Sequence, residues 1–171
     1  MHNLVKPVVI VQGVVEARLF DELKGKGVTE VYVLEGRPTL EAARRASAEL
    51  LKRGMTPTLI SDNMAGVLFY KNLVKEVWIA FQYADEEGAA CDIGALILGV
   101  LGKRHGVPVR LFPSARKTNF LGRSQDLLSF LSKRIAPKGV EAFVPLVEWV
   151  PAKYISAVPK PLAEDLQDAH V

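Results

Sequence analysis

Short apolar, β-branched runs recur along the chain, each closed by polar or turn-forming residues. Pro7-Val8-Val9-Ile10-Val11 ends at Gln12-Gly13. Then come Glu30-Val31-Tyr32-Val33-Leu34, Thr56-Pro57-Thr58-Leu59-Ile60, Glu76-Val77-Trp78-Ile79-Ala80-Phe81 and Val107-Pro108-Val109-Arg110-Leu111-Phe112. Each has the length of a strand, and most lack strict polar alternation, as strands covered on both faces do. The segments between them have helical period. Leu40, Ala43, Ser47, Leu50 and Leu51 share one face, with Glu41, Arg44, Arg45 and Lys52 on the other. Thr39 is placed to cap that helix with its hydroxyl, and Gly54 to end it. Further helices are expected over 64–72, 90–105 and 125–135, and a last strand over 142–150.

This alternation predicts an α/β, Rossmann-like fold: a mainly parallel sheet of about six strands, with right-handed crossovers and helices on both faces. No linker or internal repeat interrupts it. A single domain is therefore expected over 1–159, followed by a polar tail over 160–171.

Composition narrows the classes. With 49% hydrophobic residues in 171, the chain suits one domain with a sizeable core. The formal net charge of +3 is spread among interspersed acidic and basic residues, too weak an imbalance to point to nucleic acid. The densest basic cluster, Arg44-Arg45 with Lys52-Arg53, falls on one helix and reads as a solvated face. A lone cysteine, Cys91, excludes an intrachain disulfide, and three scattered histidines give no metal-ligand spacing. Neither a metal nor a cofactor is expected. The longest apolar run, around Ala95 to Leu101, is too short to span a bilayer, and no signal peptide is evident, so a cytoplasmic location is expected.

In open α/β sheets, ligands bind beyond the carboxyl ends of the strands. Those ends carry Gln12-Gly13, Glu35-Gly36-Arg37, Ser61-Asp62-Asn63, Tyr83-Ala84-Asp85 and Pro113-Ser114. Arg37 offers a rigid fork for phosphate or carboxylate, or else pairs with Glu35 or Glu41. Asp62 and Asn63 read equally as helix N-caps and as ligand contacts; Ser114 precedes backbone able to bind an anion. Asp85 is a candidate general acid or base, although an acidic turn explains it too. Cys91 reads first as a small buried residue; a place near a helix N-terminus would instead lower its pKa. Gly94, Gly99 and Gly102 suit close packing of a helix on the sheet, since no phosphate-binding glycine pattern follows the first strand.

Five segments carry a family resemblance. Val33-Leu34-Glu35-Gly36-Arg37-Pro38 with Glu41-Ala42-Ala43-Arg44, Thr58 to Ala65, Ala84-Asp85, Ile93-Gly94-Ala95 through Gly106-Val107-Pro108, and Glu148-Trp149-Val150-Pro151-Ala152-Lys153-Tyr154-Ile155-Ser156 occur in family order. They resemble a superfamily that unites methylthioribose-1-phosphate isomerase, ribose-1,5-bisphosphate isomerase and the α, β and δ subunits of translation initiation factor 2B. The resemblance runs from about residue 8 to residue 158, with no counterpart of the family's helical N-terminal domain. It implies a phosphorylated small-molecule ligand, pairing as a homodimer, and in the isomerases an aldose-to-ketose conversion using a cysteine and an aspartate. The aspartate maps onto Asp85. The cysteine's place reads Val11-Gln12-Gly13-Val14, with no thiol, and an Asn-Gly-Asp…Asn-Lys stretch is shortened to Glu86-Glu87-Gly88-Ala89-Ala90-Cys91-Asp92.

The expected ligand set is Glu35, Arg37, Glu41, Asp62, Asn63 and Ser114. The main expectation is a non-catalytic domain that binds a sugar phosphate or nucleotide. The alternative is an aldose–ketose isomerase, with Asp85 as acid/base and Cys91 supplying the second group.

Overall fold

A computed structural model describes residues 6–157. In chain order it contains β1 (Val8–Gln12), α1 (Phe20–Gly25), β2 (Glu30–Leu34), α2 (Glu41–Lys52), β3 (Thr58–Ile60), α3 (Ala65–Tyr70), β4 (Val74–Asp85), β5 (Gly88–Asp92), α4 (Ala95–His105), β6 (Val109–Pro113), α5 (Ser124–Leu128), β7 (Ser129–Phe130), β8 (Lys133–Arg134) and β9 (Val147–Pro151). The tail expected over 160–171 lies outside the described residues.

The α/β expectation holds, with one change: the sheet is mixed. β3, β2, β1 and β4 lie side by side in parallel, and β6 joins β4 in the same sense. β4 then outruns its parallel partners. Beyond Phe81, which faces Pro113 at the end of β6, it turns back as an antiparallel hairpin with β5, and β5 pairs with β9. Seven strands result.

β1 and β4 show why the apolar runs lack alternation. Val8 and Ile10, with Val77 and Ile79, pack under α3 and α4 against Phe69 and Leu98. Val9 and Val11, with Trp78 and Ala80, pack on the other face against Phe20, Leu23 and Leu50 of α1 and α2. Both faces are covered, so both sets of side chains must be apolar. Trp78 is fully buried, and its indole N–H donates to Glu76 Oε1 at 2.7 Å, so its burial strands no polar group.

Gly102 shows the helix-on-sheet packing expected of the α4 glycines, since a Cβ there would collide with the Val109 side chain. The basic cluster on α2 is a solvated face: Arg45 pairs with Glu41, Lys52 with Glu49, and Arg53 with Glu49 and Asp21.

Four local expectations are corrected. Residues 88–92 are strand rather than the start of a 90–105 helix, and α4 begins at Ala95. The alanines there favour helix, but pairing with β4 on one edge and β9 on the other satisfies the backbone as strand. Only 125–128 of the expected 125–135 helix forms, within α5 at 124–128; Leu131 and Ser132, at φ of 50° and 63°, turn the chain into the β7–β8 hairpin. Thr39 does not occupy the cap of α2. Leu40 does, with Thr39 Oγ1 only 3.4 Å from the Glu41 N–H. The last strand covers 147–151, not 142–150.

Candidate functional site

At the carboxyl ends of β1 and β2 a cleft is lined by Gln12, Gly13, Arg37, Asp92, Arg116 and Thr118 among others. Its enclosed volume is about 20 Å³, room for little more than a water. It shares Pro38 and Thr39 with a larger, polar groove of about 590 Å³, bordered by Glu41, Arg44, Arg123 and Asp126.

The cleft floor follows from the sheet. Gln12 ends β1 and is buried; its amide Nε2 donates to the carbonyls of Asp92 (3.2 Å) and Ile93 (3.0 Å). That leaves Gln12 Oε1 buried without a partner. Gly13 follows at φ +80°, and a Cβ there would lie 2.8 Å from Ala80 Cβ and 3.3 Å from Asp92 Oδ2. Glycine therefore gives both the turn and the space beside the carboxylate.

Asp92 is the titratable group of the cleft. Its side chain is 13% exposed, Thr118 Oγ1 donates to Oδ1 at 3.1 Å, and Arg116 Nη2 stands 3.8 Å from Oδ2. Burial raises its pKa above the ordinary 3.8, opposed by Arg116 and Thr118 and aided by the negative charge of Glu41. A carboxyl displaced upward in a cleft is a candidate acid/base.

Arg116 is held by its surroundings. Its backbone N–H donates to Ser114 Oγ at 3.3 Å, and that hydroxyl donates onward to the Val14 carbonyl at 3.3 Å. Its guanidinium pairs through Nη1 with Glu41 Oε2. Its Nε is buried with no partner.

The expected residues divide. Arg37 lies on the cleft wall, its guanidinium 4.6 Å over the Phe130 ring; it pairs with neither Glu35 nor Glu41. Asp62 acts on the loop instead of capping a helix: its two carboxylate oxygens accept the N–H groups of Gly36 (2.9 Å) and Arg37 (2.8 Å). Asn63 is exposed and accepts the Ser61 hydroxyl. Glu41 lines the groove and binds Arg45 and Arg116, and Ser114 seats Arg116. Glu35 is not on the cleft wall; its N–H joins β2 to β3 through the Ile60 carbonyl.

Asp85 and Cys91 are placed elsewhere. Asp85 closes the β4–β5 turn, accepting the N–H groups of Glu87 (2.8 Å) and Gly88 (3.2 Å) and the Tyr83 hydroxyl (3.2 Å). It does not line the cleft. Cys91 sits in β5, fully buried, with its thiol toward the Ala89 carbonyl. The N-terminus of α4 begins only three residues on, but its Gly94 and Leu96 N–H groups are taken by Glu148 Oε1; burial, then Asp92 and Glu148, push the thiol pKa far upward. Neither residue of the expected Asp85–Cys91 pair lines the cleft: Asp85 holds the β4–β5 turn, and the Cys91 thiol is buried.

Sequence reasoning missed Asp92, Arg116, Thr118 and Gln12 as a group. Asp92 and Thr118 meet across 26 positions, and no local pattern announces such a contact.

The profile of the Initiation factor 2 subunit family matches residues 11–158. The chain belongs to that family. Among curated relatives, methylthioribose-1-phosphate isomerase of Carboxydothermus hydrogenoformans is 33% identical over 141 residues, covering 75% of this chain and 41% of the relative. That of Caldicellulosiruptor saccharolyticus is 34% identical over 146 residues, covering 78% and 42%. A 5-deoxyribose 1-phosphate isomerase of Petrotoga mobilis is 30% identical over 141 residues, covering 75% and 41%. The family member described here thus spans less than half the length of these relatives.

Solved structures agree on the fold. The δ subunit of translation initiation factor eIF-2B from A. fulgidus superposes with a TM-score of 0.76 at 20% identity, covering 89% of this chain and 52% of that one. The 5-methylthioribose 1-phosphate isomerase of Pyrococcus horikoshii gives 0.75 at 21% identity, covering 90% and 49%. Among the described residues no helix is long and apolar enough to cross a membrane.

Proposed function

We propose that the cleft and its adjoining groove receive a sugar 1-phosphate, and that the protein interconverts aldose and ketose forms with Asp92 moving the proton. The observation that carries this reading is Asp92: a carboxyl raised by burial, on the wall of a strand-end cleft, beside an arginine and a hydroxyl. The isomerase relatives supply the substrate class. The groove has room for the sugar phosphate, and the cleft places the Asp92 carboxyl at its edge.

The test is to incubate purified protein with 5-methylthioribose 1-phosphate and with 5-deoxyribose 1-phosphate, and to follow ketose 1-phosphate formation. Turnover that D92N lowers by about 10²–10⁴-fold, the usual contribution of a positioned acid/base, supports the reading. Turnover lost in D85N but kept in D92N would return the role to Asp85 and overturn it.

A second reading keeps the ligand and omits the chemistry. It is favoured by Cys91, whose thiol faces the core, so that the cleft holds one proton-transfer group and no sulfur nucleophile. Binding of both sugar phosphates without turnover selects it. Pairing of two copies belongs to the same proposal. Met64, Val67 and Tyr70 of the α3 region and Ile97 and Val100 of α4 form exposed apolar surface on neighbouring helices, which a second copy would cover. Light scattering at working concentration checks it; a monomer overturns it.

A further inference from the structure

Arg116 is fixed in place while most of its guanidinium goes unused. Nη1 is paired with Glu41, Nη2 is 3.8 Å from Asp92 Oδ2, beyond hydrogen-bond reach, and Nε is buried with no partner. On the same cleft wall Gln12, 2% exposed, keeps Oε1 unpaired, because its amide nitrogen is committed to two carbonyls. Buried polar groups are seldom left this way unless something else completes them. The other cation on the wall, Arg37, is already stacked over Phe130. Two residues with unsatisfied polar atoms, Arg116 and Gln12, therefore line one small cleft.

The Arg116–Glu41 pair also has a telling position. Arg116 lines the cleft, whereas Glu41 lines the groove, so the ion pair spans the boundary between them. Glu41 has a second partner: Arg45, one turn along α2, donates to its Oε1 at 2.9 Å. Losing Arg116 would not strand the carboxylate. The backbone of Arg116 is anchored independently through Ser114, so its side chain can change partner without the loop moving.

We propose that Arg116 receives the phosphate group of the ligand, exchanging Glu41 for it and joining cleft to groove as it does so. This rests on the sugar-phosphate reading of the cleft and adds the residue and the displacement by which the anion is taken. A guanidinium fork matches two phosphate oxygens, and a carboxylate already there is a competitor for the same site.

The experiment is calorimetric titration of wild type, R116Q and E41Q with inorganic phosphate and with 5-methylthioribose 1-phosphate. R116Q is expected to bind both anions roughly 10- to 100-fold more weakly, the loss of a charge-assisted contact. E41Q is expected to bind them about two- to fivefold more tightly, because a partly exposed competing ion pair has been removed. A Glu41 that merely supports the site would give weaker binding in E41Q. Tighter binding in E41Q with loss in R116Q sustains the proposal. Wild-type binding that survives R116Q, or that fails to tighten in E41Q, overturns this proposal alone. Wild type that binds neither anion overturns both it and the sugar-phosphate reading.

Discussion

Asp62 Oδ2 accepts the backbone N–H of Arg37 at 2.8 Å, which ties the loop after β3 to the loop after β2. The other oxygen takes Gly36, so one carboxylate holds both peptide groups that bring Arg37 to the cleft. Replacing it by alanine leaves two partly buried donors to find water. D62A is expected to lose about 2–4 kcal/mol in urea unfolding, and to weaken sugar-phosphate binding through a loosened Arg37 loop. Unchanged stability would show that the loop stands without this clamp.

Asp92 sets a pH dependence of stability. Its folded pKa lies above the unfolded value, so the folded protein binds the proton more tightly than the unfolded chain. Ionised Asp92 therefore opposes folding at neutral pH, and stability is regained as pH falls through the raised folded value toward 3.8. D92N removes the titration while Oδ1 still accepts from Thr118. Its stability relative to wild type should be highest at neutral pH and should decline on acidification. Urea midpoints of both proteins between about pH 4 and pH 8 check this; a difference independent of pH would show that burial does not control the group.

Cys91 should behave as a small core residue. Its thiol is buried and pushed far from ionisation, and the thiolate is the reactive form. A thiol reagent should label it in urea but scarcely at all in the native protein. C91A should cost about 1–2 kcal/mol and leave ligand binding intact. Rapid native labelling would contradict the burial of β5.

Gly13 has two reasons to resist a side chain. Its φ of +80° strains any L-residue, and the added carbon would press on Ala80 and crowd Asp92. G13A is expected to lose about 1–3 kcal/mol and to shift the apparent pKa of Asp92. An alanine accepted without loss would mean that the turn relaxes readily.

The parallel half of the sheet was legible in the sequence because its cause is local. Val8 to Val11 and Val77 to Ala80 must be apolar throughout when helices cover both faces, and no other element reads so compactly. The hairpin was not. Asp85-Glu86-Glu87-Gly88 contains a turn signal, an aspartate that accepts from the glycine N–H three residues later, but it reads equally as an acidic loop. Ala89-Ala90-Cys91 then invites a helical reading, overridden by pairing with Trp149 and its neighbours on β9. The site suffered most from this. With Cys91 and Asp92 drawn into a helix, neither could be assigned its face. Arg116 and Thr118 lie in a connection after β6 whose meaning depends on what it packs against. Arg37 and Asp62 were found because strand ends mark them; only their roles as stacked cation and loop clamp required coordinates.

The β4–β5 hairpin makes chemistry a matter of parity. Along β5, Cys91 points into the core and Asp92 lines the cleft, two neighbours separated only by the pleat. Which of the two faces the cleft follows from the register in which β5 pairs with β4 and β9. A strand slipped by one position against β9 would bring sulfur to the cleft and drive the carboxylate into hydrocarbon. The two arrangements would differ in an easily read property, native thiol labelling, so the register of this hairpin can be followed at Cys91.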